Sequence, residues 1–339
     1  MKFSIIVPIY NVGEYLSNCI TSILNQDFID FELILVNDGS LDDSLYICQK
    51  FLEVDKRIKL INKPNGGLTS ARKAGARIAA GDYVITIDGD DYIEQGYLSA
   101  VSKSLLQFNP DIIVLNYLRL ENNNKVVQNG FSFSFSGLVE GRDFLELKKR
   151  FIYDFTDENI SNPGIITYSL WCKVIRREIY IKAQELINDN VVIGEDLLCS
   201  LYCLEFSKSM LCLDNCFYVY RILDNSMMHK YSLEKFMHFE NTIIALIDTG
   251  IVDDRRINAY AFHALCNEYE TIIKSGCSLR CFISNVRRSQ RYKLLYKRAY
   301  SIDNSNCNFK SLLKIRLVVK KHYLLLYAFF KLKNRKTRW

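Results

Sequence analysis

Four short polar clusters carry most of the side chains able to do chemistry. Asp88-Gly89-Asp90-Asp91 places three carboxylates within four residues. Such a group can hold a hard divalent cation, which neutralises a departing diphosphate while phosphate oxygens complete the ligand set. The same residues would serve equally as a solvated acidic turn or a helix cap. Asn37-Asp38-Gly39-Ser40-Leu41-Asp42 offers a carboxylate that can accept the imide N–H of a uracil base, next to a glycine that admits close backbone approach. Otherwise it is a turn in which Ser40 or Asp42 caps the next helix. Asn65-Gly66-Gly67-Leu68-Thr69-Ser70-Ala71-Arg72 opens a helix. Helix N-termini favour anions and Arg72 adds a fixed positive charge; a capping turn with a surface arginine is the plainer alternative. Glu195-Asp196 follows Ile193-Gly194 and precedes an apolar run. A carboxylate there can take a proton from a hydroxyl, or simply favour the first turn of a helix.

The elements needed to position these clusters are legible in the hydrophobic pattern. Strands are expected at Phe3–Ile9, Phe31–Val36, Ile58–Ile61, Tyr83–Ile87 and Ile112–Leu115, and helices at Glu14–Gln26, Asp42–Val54, Leu68–Ala80 and Tyr97–Phe108. That alternation argues for a mostly parallel, doubly wound α/β sheet, which binds ligands beyond the carboxyl ends of its strands. Asp38 and Asp88 fall at two such ends. A turn at Asn122–Asn124 and an edge strand at Phe131–Phe135 follow in a looser stretch. Order returns at Trp171–Ile181, with a helix starting near Glu195 and short strands near Met210–Leu213 and Phe217–Tyr220. After residue 230 the pattern is helical. The expected organisation is a domain over 1–228, with halves 1–120 and 121–228, then a helical region over 229–339.

Composition excludes some function classes. Of the formal net charge of +6, residues 310–339 contribute ten Lys or Arg and no Asp or Glu, so the first 309 residues sum to −4. An acidic body argues against nucleic acid, and a basic apolar tail points to an anionic membrane surface. The eleven cysteines include Cys199/Cys203, Cys212/Cys216 and Cys277/Cys281 at four-residue spacing. No nearby histidine completes a zinc set, so they read as buried free thiols of a reducing, cytoplasmic compartment. Neither a signal peptide nor a run of about 20 apolar residues is expected. The segment Leu312–Leu332 reads as a basic amphipathic helix with aromatic residues, able to lie in a bilayer interface or to pack on the body.

Ile5, Val7, Pro8, Tyr10 and Asn11; Val36 to Ser40; Asn65-Gly66-Gly67 through Ala71-Arg72; Gly81-Asp82-Tyr83; and Ile87 to Asp91 occur in that order. As an ordered set they resemble the family 2 glycosyltransferases of the GT-A fold, densely over residues 3–120 and more thinly towards Ser226. The resemblance implies a Rossmann-like sheet flanked by helices, and roles for the matching residues. Pro8, Tyr10 and Asp38 would line a nucleoside pocket. Asp88, with Gly89, would touch the ribose or donor. Asp90, ahead of Asp88, would hold Mn²⁺ or Mg²⁺ in a DXD motif. Asp91 would contact the donor sugar or orient Asp90. Gly194-Glu195-Asp196 resembles the family's catalytic motif, with Asp196 as general base and Glu195 in support. Lys73 is a departure, standing where the family usually has Asn after the arginine.

Trp171-Cys172-Lys173 before Arg176-Arg177, and Tyr218-Val219-Tyr220-Arg221 before Ser226, resemble the capsule and O-antigen branch. They imply an acceptor site and, for Arg221, diphosphate binding. His229 is a further candidate metal ligand, with a solvated histidine as the alternative. The implied reaction is an inverting transfer of a hexose or N-acetylhexosamine from a nucleotide sugar, UDP by family default. It goes to a lipid-diphosphate-linked glycan at the inner face of the plasma membrane and gives a β-linkage. A nucleotidyltransferase would want a basic, Gly-rich phosphate loop after the first strand, which Tyr10-Asn11-Val12-Gly13-Glu14 does not supply. A non-catalytic sugar-binding scaffold would need neither Asp90 nor Asp196.

Overall fold

The computed structural model describes residues 2–121, 124–128, 137–152, 167–223, 231–303 and 309–336. The chain divides into two compact units, one from residues 1–148 and 164–222, the other from 149–163 and 223–339.

The strands are β1 (Phe3–Ile9), β2 (Phe31–Asp38), β3 (Ile58–Lys63), β4 (Tyr83–Thr86), β5 (Tyr92–Ile93), β6 (Ile112–Glu121), β7 (Asn124–Gln128), β8 (Gly137–Glu140), β9 (Lys173–Arg176) and β10 (Ser209–Arg221). They form one sheet in the order β3-β2-β1-β4-β9-β6-β10-β5, with β7 on β6 and β8 on β10. Along that path β9 and β5 run against the other six strands, so the sheet is mostly parallel. Every residue of β1 and β2 is buried, as expected where helices cover both faces of a sheet. Pro8 interrupts β1 at little cost. The β1–β4 pairing ends at Ile6, two residues earlier, so its missing N–H falls beyond that ladder.

The helices of the first unit are α1 (Gly13–Leu24), α2 (Ser44–Val54), α3 (Gly67–Ile78), α4 (Tyr97–Phe108), α5 (Gly141–Arg150), α6 (Arg177–Glu185) and α7 (Glu195–Phe206). α1 buries Leu16, Cys19, Ile20 and Ile23 at helical spacing. α3 buries Ala71, Gly75 and Ala76. A Cβ on Gly75 would meet Ile6 Cγ2 at 2.6 Å, so small residues set how closely α3 lies on the sheet. The strand order places β2 and β3 to one side of β1 and β4 to the other. The connections therefore reverse between β1 and β4, the crevice where such sheets bind ligands.

The second unit holds α8 (Glu234–Thr249), α9 (Asp254–Lys274), α10 (Leu279–Ser289), α11 (Lys293–Tyr300), α12 (Phe309–Val319) and α13 (Tyr323–Lys336). Asp253 caps α9, accepting the Arg256 N–H at 2.9 Å. Here the structure corrects the tail. The expected single helix is two, broken at Lys321, whose φ of 57° is left-handed. Ile315, Val318, Leu326 and Phe330 are buried, so the tail packs within its unit. No described helix is long and apolar enough to cross a membrane.

Other expectations shift locally. β6 continues six residues past Leu115, and the two short strands near 210 and 217 are one strand, β10, irregular between Leu213 and Tyr218. The edge strand expected at Phe131–Phe135 lies outside the described residues, as does the turn at 122–123. The ten described cysteines are free; Cys199 and Cys203 are buried as expected, whereas Cys216 and Cys277 are half-buried and Cys281 is exposed.

Candidate active site

The loop after β4 and the first turn of α7 meet at one buried cation. Arg72 on α3 is 1% exposed, so the surface-arginine reading fails. Its Nη1 donates to Asp196 Oδ1, and its Nη2 donates to Asp88 Oδ1 at 3.3 Å. Burial pulls the guanidinium down, but the Asp196 and Asp88 carboxylates outweigh it and hold its pKa above the usual value. The second Asp196 oxygen accepts the Leu170 N–H at 3.1 Å. Gly194 makes this placement possible, turning the chain into α7 at a φ of 89° that favours glycine. Glu195 and Asp196 also lie in the first turn of α7, where the helix dipole favours carboxylates.

Asp88, Asp90 and Asp91 take different environments. Burial pushes the Asp88 carboxyl up to about 6; Arg72 opposes this, and Asp196 and Asp90 reinforce it. Asp91 is fully buried, accepting from Tyr218 Oη at 2.6 Å and from the Arg221 N–H at 2.7 Å. Tyr218 Oη also accepts the Asp88 N–H at 3.2 Å. Asp91 thus fastens the loop to β10 and orients its neighbours. Burial raises the Asp90 carboxyl, with Arg221 opposing. Asp90 is half-buried, and among the described residues no lysine or arginine forms an ion pair with its carboxylate. A Cβ on Gly89 would stand 2.9 Å from Val12 Cγ2 and 3.3 Å from Pro8 O, so glycine lets this loop close on the end of β1.

Arg221 Nε donates to Asp90 O at 2.9 Å, and its guanidinium lies 4.8 Å from the Tyr15 ring and 5.6 Å from that of Tyr92. Two aromatic faces thereby hold a cation against the acidic loop. Trp171 stacks on Tyr218 and Tyr220 at 4.6 and 5.4 Å, with Tyr117 edge-on at 4.7 Å. Lys173 is buried, donating to Thr167 O and Ser169 O at 2.7 and 2.6 Å, and so pins the turn that presents Leu170. Lys73 donates to Ile187 O at 2.6 Å and to Asp189 at 2.5 Å, tying α3 to the chain that leads into Glu195.

Asp38 sits at the end of β2, fully buried. Its carboxylate accepts from Lys63 Nζ, from the Gly66 N–H at 3.0 Å and from the Gly67 N–H at 2.7 Å. The anion seated at the N-terminus of α3 is therefore Asp38 itself. Gly39 has a φ of 72°, and a Cβ there would lie 2.7 Å from the Asn65 N, so glycine is required where the two loops touch. Asn11 accepts the Leu41 N–H at 2.7 Å, and Asp42 accepts the N–H groups of Gly13 and Ser44 at 2.8 and 3.0 Å. These bonds lock the loops after β1 and β2 together and leave the Tyr10 ring exposed. Ser226 and His229 lie outside the described residues.

Sequence reasoning missed Lys63, Leu170 and Tyr15. Lys63 had a signal, because it is the register partner of Asp38 at the last β2–β3 pair. Leu170 acts through its backbone and had none.

Two expected results arise from this geometry. Arg72→Met should destabilise the first unit by about 2–3 kcal/mol, read as a lowered midpoint in urea. A fully buried broken pair costs about 3–5 kcal/mol, and here Asp88 and Asp196 retain 26% and 22% exposure. Glu195 provides a pH test. Burial first, then Asp196, pushes its carboxyl from 4.5 to about 7, against Arg72. Between those values the folded state binds more protons than the unfolded one, so Glu195 lowers stability as pH rises through the window. Glu195→Gln should match the parent chain in Tm below pH 4.5 and exceed it above pH 7; equal Tm at both ends would refute the assignment.

Comparison with known proteins agrees with the motifs. The family model described as glycosyl transferase family 2 matches residues 4–183. Among curated proteins, the glycosyltransferase GlyA of Streptococcus pneumoniae is 32% identical over 70% of this chain and 33% of its own length. The uncharacterized glycosyltransferase EpsJ of Bacillus subtilis is 30% identical over 66% of this chain and 62% of its own. The chain thus spans one third of GlyA and under two thirds of EpsJ. A crystal structure of S. aureus TarS 1-349 in complex with UDP-GlcNAc superposes with a TM-score of 0.63 at 19% identity, covering 98% of this chain and 92% of that one. It shares the fold, the GT-A architecture that the motifs implied. With a match over more than half of its length, including the segments that carry Asp38, Arg72 and Asp88 to Asp91, this chain belongs to glycosyl transferase family 2.

Proposed function

We propose that this chain transfers a hexose or N-acetylhexosamine from a nucleotide sugar, UDP-linked, to a glycan carried on a lipid diphosphate in bacterial surface polysaccharide assembly, with inversion at the anomeric carbon. The observation that carries this reading is Arg72. One buried guanidinium joins Asp88 on the donor-side loop to Asp196 at the head of α7, so a leaving group and a base can act across one site. The UDP-GlcNAc bound to S. aureus TarS supports the choice of donor.

In this reading Pro8, Tyr10 and Asp38 hold the nucleoside at the ends of β1 and β2. Asp38 already accepts from Lys63, Gly66 and Gly67, so three of its about four acceptor positions are taken, and a uracil imide would use the fourth or displace one of these donors. Arg221, braced by Tyr15 and Tyr92, faces the diphosphate. Asp90 fits a hard divalent cation, because its carboxylate is half-buried and not ion-paired, and such ions take one or two carboxylates plus phosphate oxygens. Asp88 stands beside it, already paired with Arg72. Among the described residues no group of three or more His, Cys, Asp or Glu is placed to hold a metal ion; in this reading Asp90 and Asp88 would hold Mn²⁺ or Mg²⁺ only with phosphate oxygens of the donor. When bound, the ion supplies positive charge to the leaving diphosphate.

Asp196 takes the proton of the attacking hydroxyl as general base. A carboxylate has about four acceptor positions, and Arg72 and the Leu170 N–H use two. They fix the orientation of Asp196 while leaving it able to accept a proton. In a single displacement on the face opposite the leaving group, an α-linked donor yields a β-linked product. The test is nucleotide release from a panel of nucleotide sugars with Mn²⁺, with and without a lipid-linked acceptor. Release that rises with acceptor supports the reading; no release with any donor would favour a non-catalytic scaffold.

A further inference from the structure

We propose that the outer face of α13 is the surface by which this chain lies on an anionic lipid bilayer. The idea deepens the membrane-bound acceptor proposed above, but its evidence is separate from the catalytic site.

α13 is apolar on two opposite faces. One is seated within its unit. Leu326 and Phe330 are buried there. The Tyr327 hydroxyl donates to Cys277 O at 2.9 Å, and the Tyr323 hydroxyl accepts from Gln290 at 2.7 Å. At 100° per residue, Leu324, Leu325, Ala328 and Leu332 fall on the other side of the helix. Leu324 is 61% exposed, Leu325 56% and Leu332 61%, and Ala328 is exposed as well. A packed helix needs one apolar stripe, so the second calls for another occupant. Lys333 is held by Glu270 at 2.6 Å, which keeps the seated face in place while the leucines point away from it.

Charge identifies the occupant. Exposed Lys320, Lys321 and Lys331 flank the stripe, within a segment, 310–339, that holds ten Lys or Arg and no acid. Exposed lysines beside exposed leucines repel a second copy of the same face and match the negative surface of an anionic leaflet. Leucines entering the acyl boundary with lysines at headgroup level is the arrangement of an interfacial helix. The break at Lys321 also makes sense in these terms, because it lets α13 be held by one face and offer the other.

The experiment is flotation of the full chain with vesicles of phosphatidylcholine alone or with phosphatidylglycerol, in low and high salt. The parent chain should float with the anionic vesicles at low salt and detach as salt rises. Leu324→Asn with Leu325→Asn leaves the charge unchanged and alters only exposed positions; it should weaken binding at least tenfold with Tm unchanged. Lys320→Gln with Lys321→Gln and Lys331→Gln should remove the preference for anionic vesicles. The proposal is overturned if the parent chain does not float, or if the leucine variant binds as the parent does. It is also overturned if sedimentation shows a dimer that the leucine variant dissolves. Nucleotide release plays no part in the readout, so a failure here is separable from a failure of the catalytic reading.

Discussion

Asp196→Ala is expected to lower the transfer rate by about 10²–10⁴-fold, the range of a lost general base, with the donor KM little changed. Ala removes both the base and the acceptor for Arg72 and the Leu170 N–H, so a loss of activity alone would not separate chemistry from architecture. Asp196→Asn separates them. An asparagine keeps one carbonyl oxygen for Arg72 or for Leu170 and nearly the same volume, but it cannot take a proton at neutral pH. If Asp196 is the base, the two variants should be equally inactive while Asn retains more of the parent Tm. Substantial activity in Asp196→Asn would move the base to Glu195, its neighbour in the first turn of α7. Rates at saturating donor, beside thermal melts of both proteins, decide between these outcomes.

The first half of the fold was legible because its signals are local. β1 and β2 are mostly apolar runs, broken only by Ser4 and Glu32 before Asn37-Asp38 ends β2, and helices repeat at 3.6 residues with polar loops at their ends. Signals failed where partners decide the outcome. β5 is two residues long and exists by pairing with Tyr218 and Val219. Asp214-Asn215 interrupts the apolar pattern of β10, yet β6 carries the strand through. In the tail, Lys321 takes a left-handed turn without the glycine or asparagine that announces one, so one helix was expected where two exist.

The site divides in the same way. Asp38, Asp88 and Asp90 were visible as strand-end clusters, and Glu195 and Asp196 as a helix start. That Arg72 meets Asp196 was not, since 124 residues separate them. Nor was the fate of Asp38, whose neighbours Gly66 and Gly67 have the sequence of a seat for an external anion. Both motifs were seen, but their occupation of one another arises only once β2, β3 and α3 are side by side.

That mutual occupation also bears on which acidic residue the proposed donor site would use. Asp88 is paired with Arg72, and Asp91 is buried between Tyr218 and the Arg221 amide. Asp90 alone of the three has a carboxylate bound to neither. Asp90→Ala is therefore expected to lower Mn²⁺-stimulated nucleotide release by about 10³-fold or more, as several kcal/mol of charge stabilisation at the diphosphate is lost. Stability should not fall with it. Burial already holds the Asp90 carboxyl above its usual range, so removing it relieves a desolvation cost and Tm should stay level or rise. Asp91→Ala should do the reverse to the fold, leaving the Tyr218 hydroxyl and the Arg221 N–H without their acceptor, at about 1–3 kcal/mol for each buried group. Titration of Mn²⁺ into each variant with UDP present supplies a readout independent of turnover. Loss of binding in Asp90→Ala with a normal melt would assign the cation to Asp90, whereas retained binding there, with loss in Asp88→Ala, would transfer the role to Asp88 and make Arg72 its competitor.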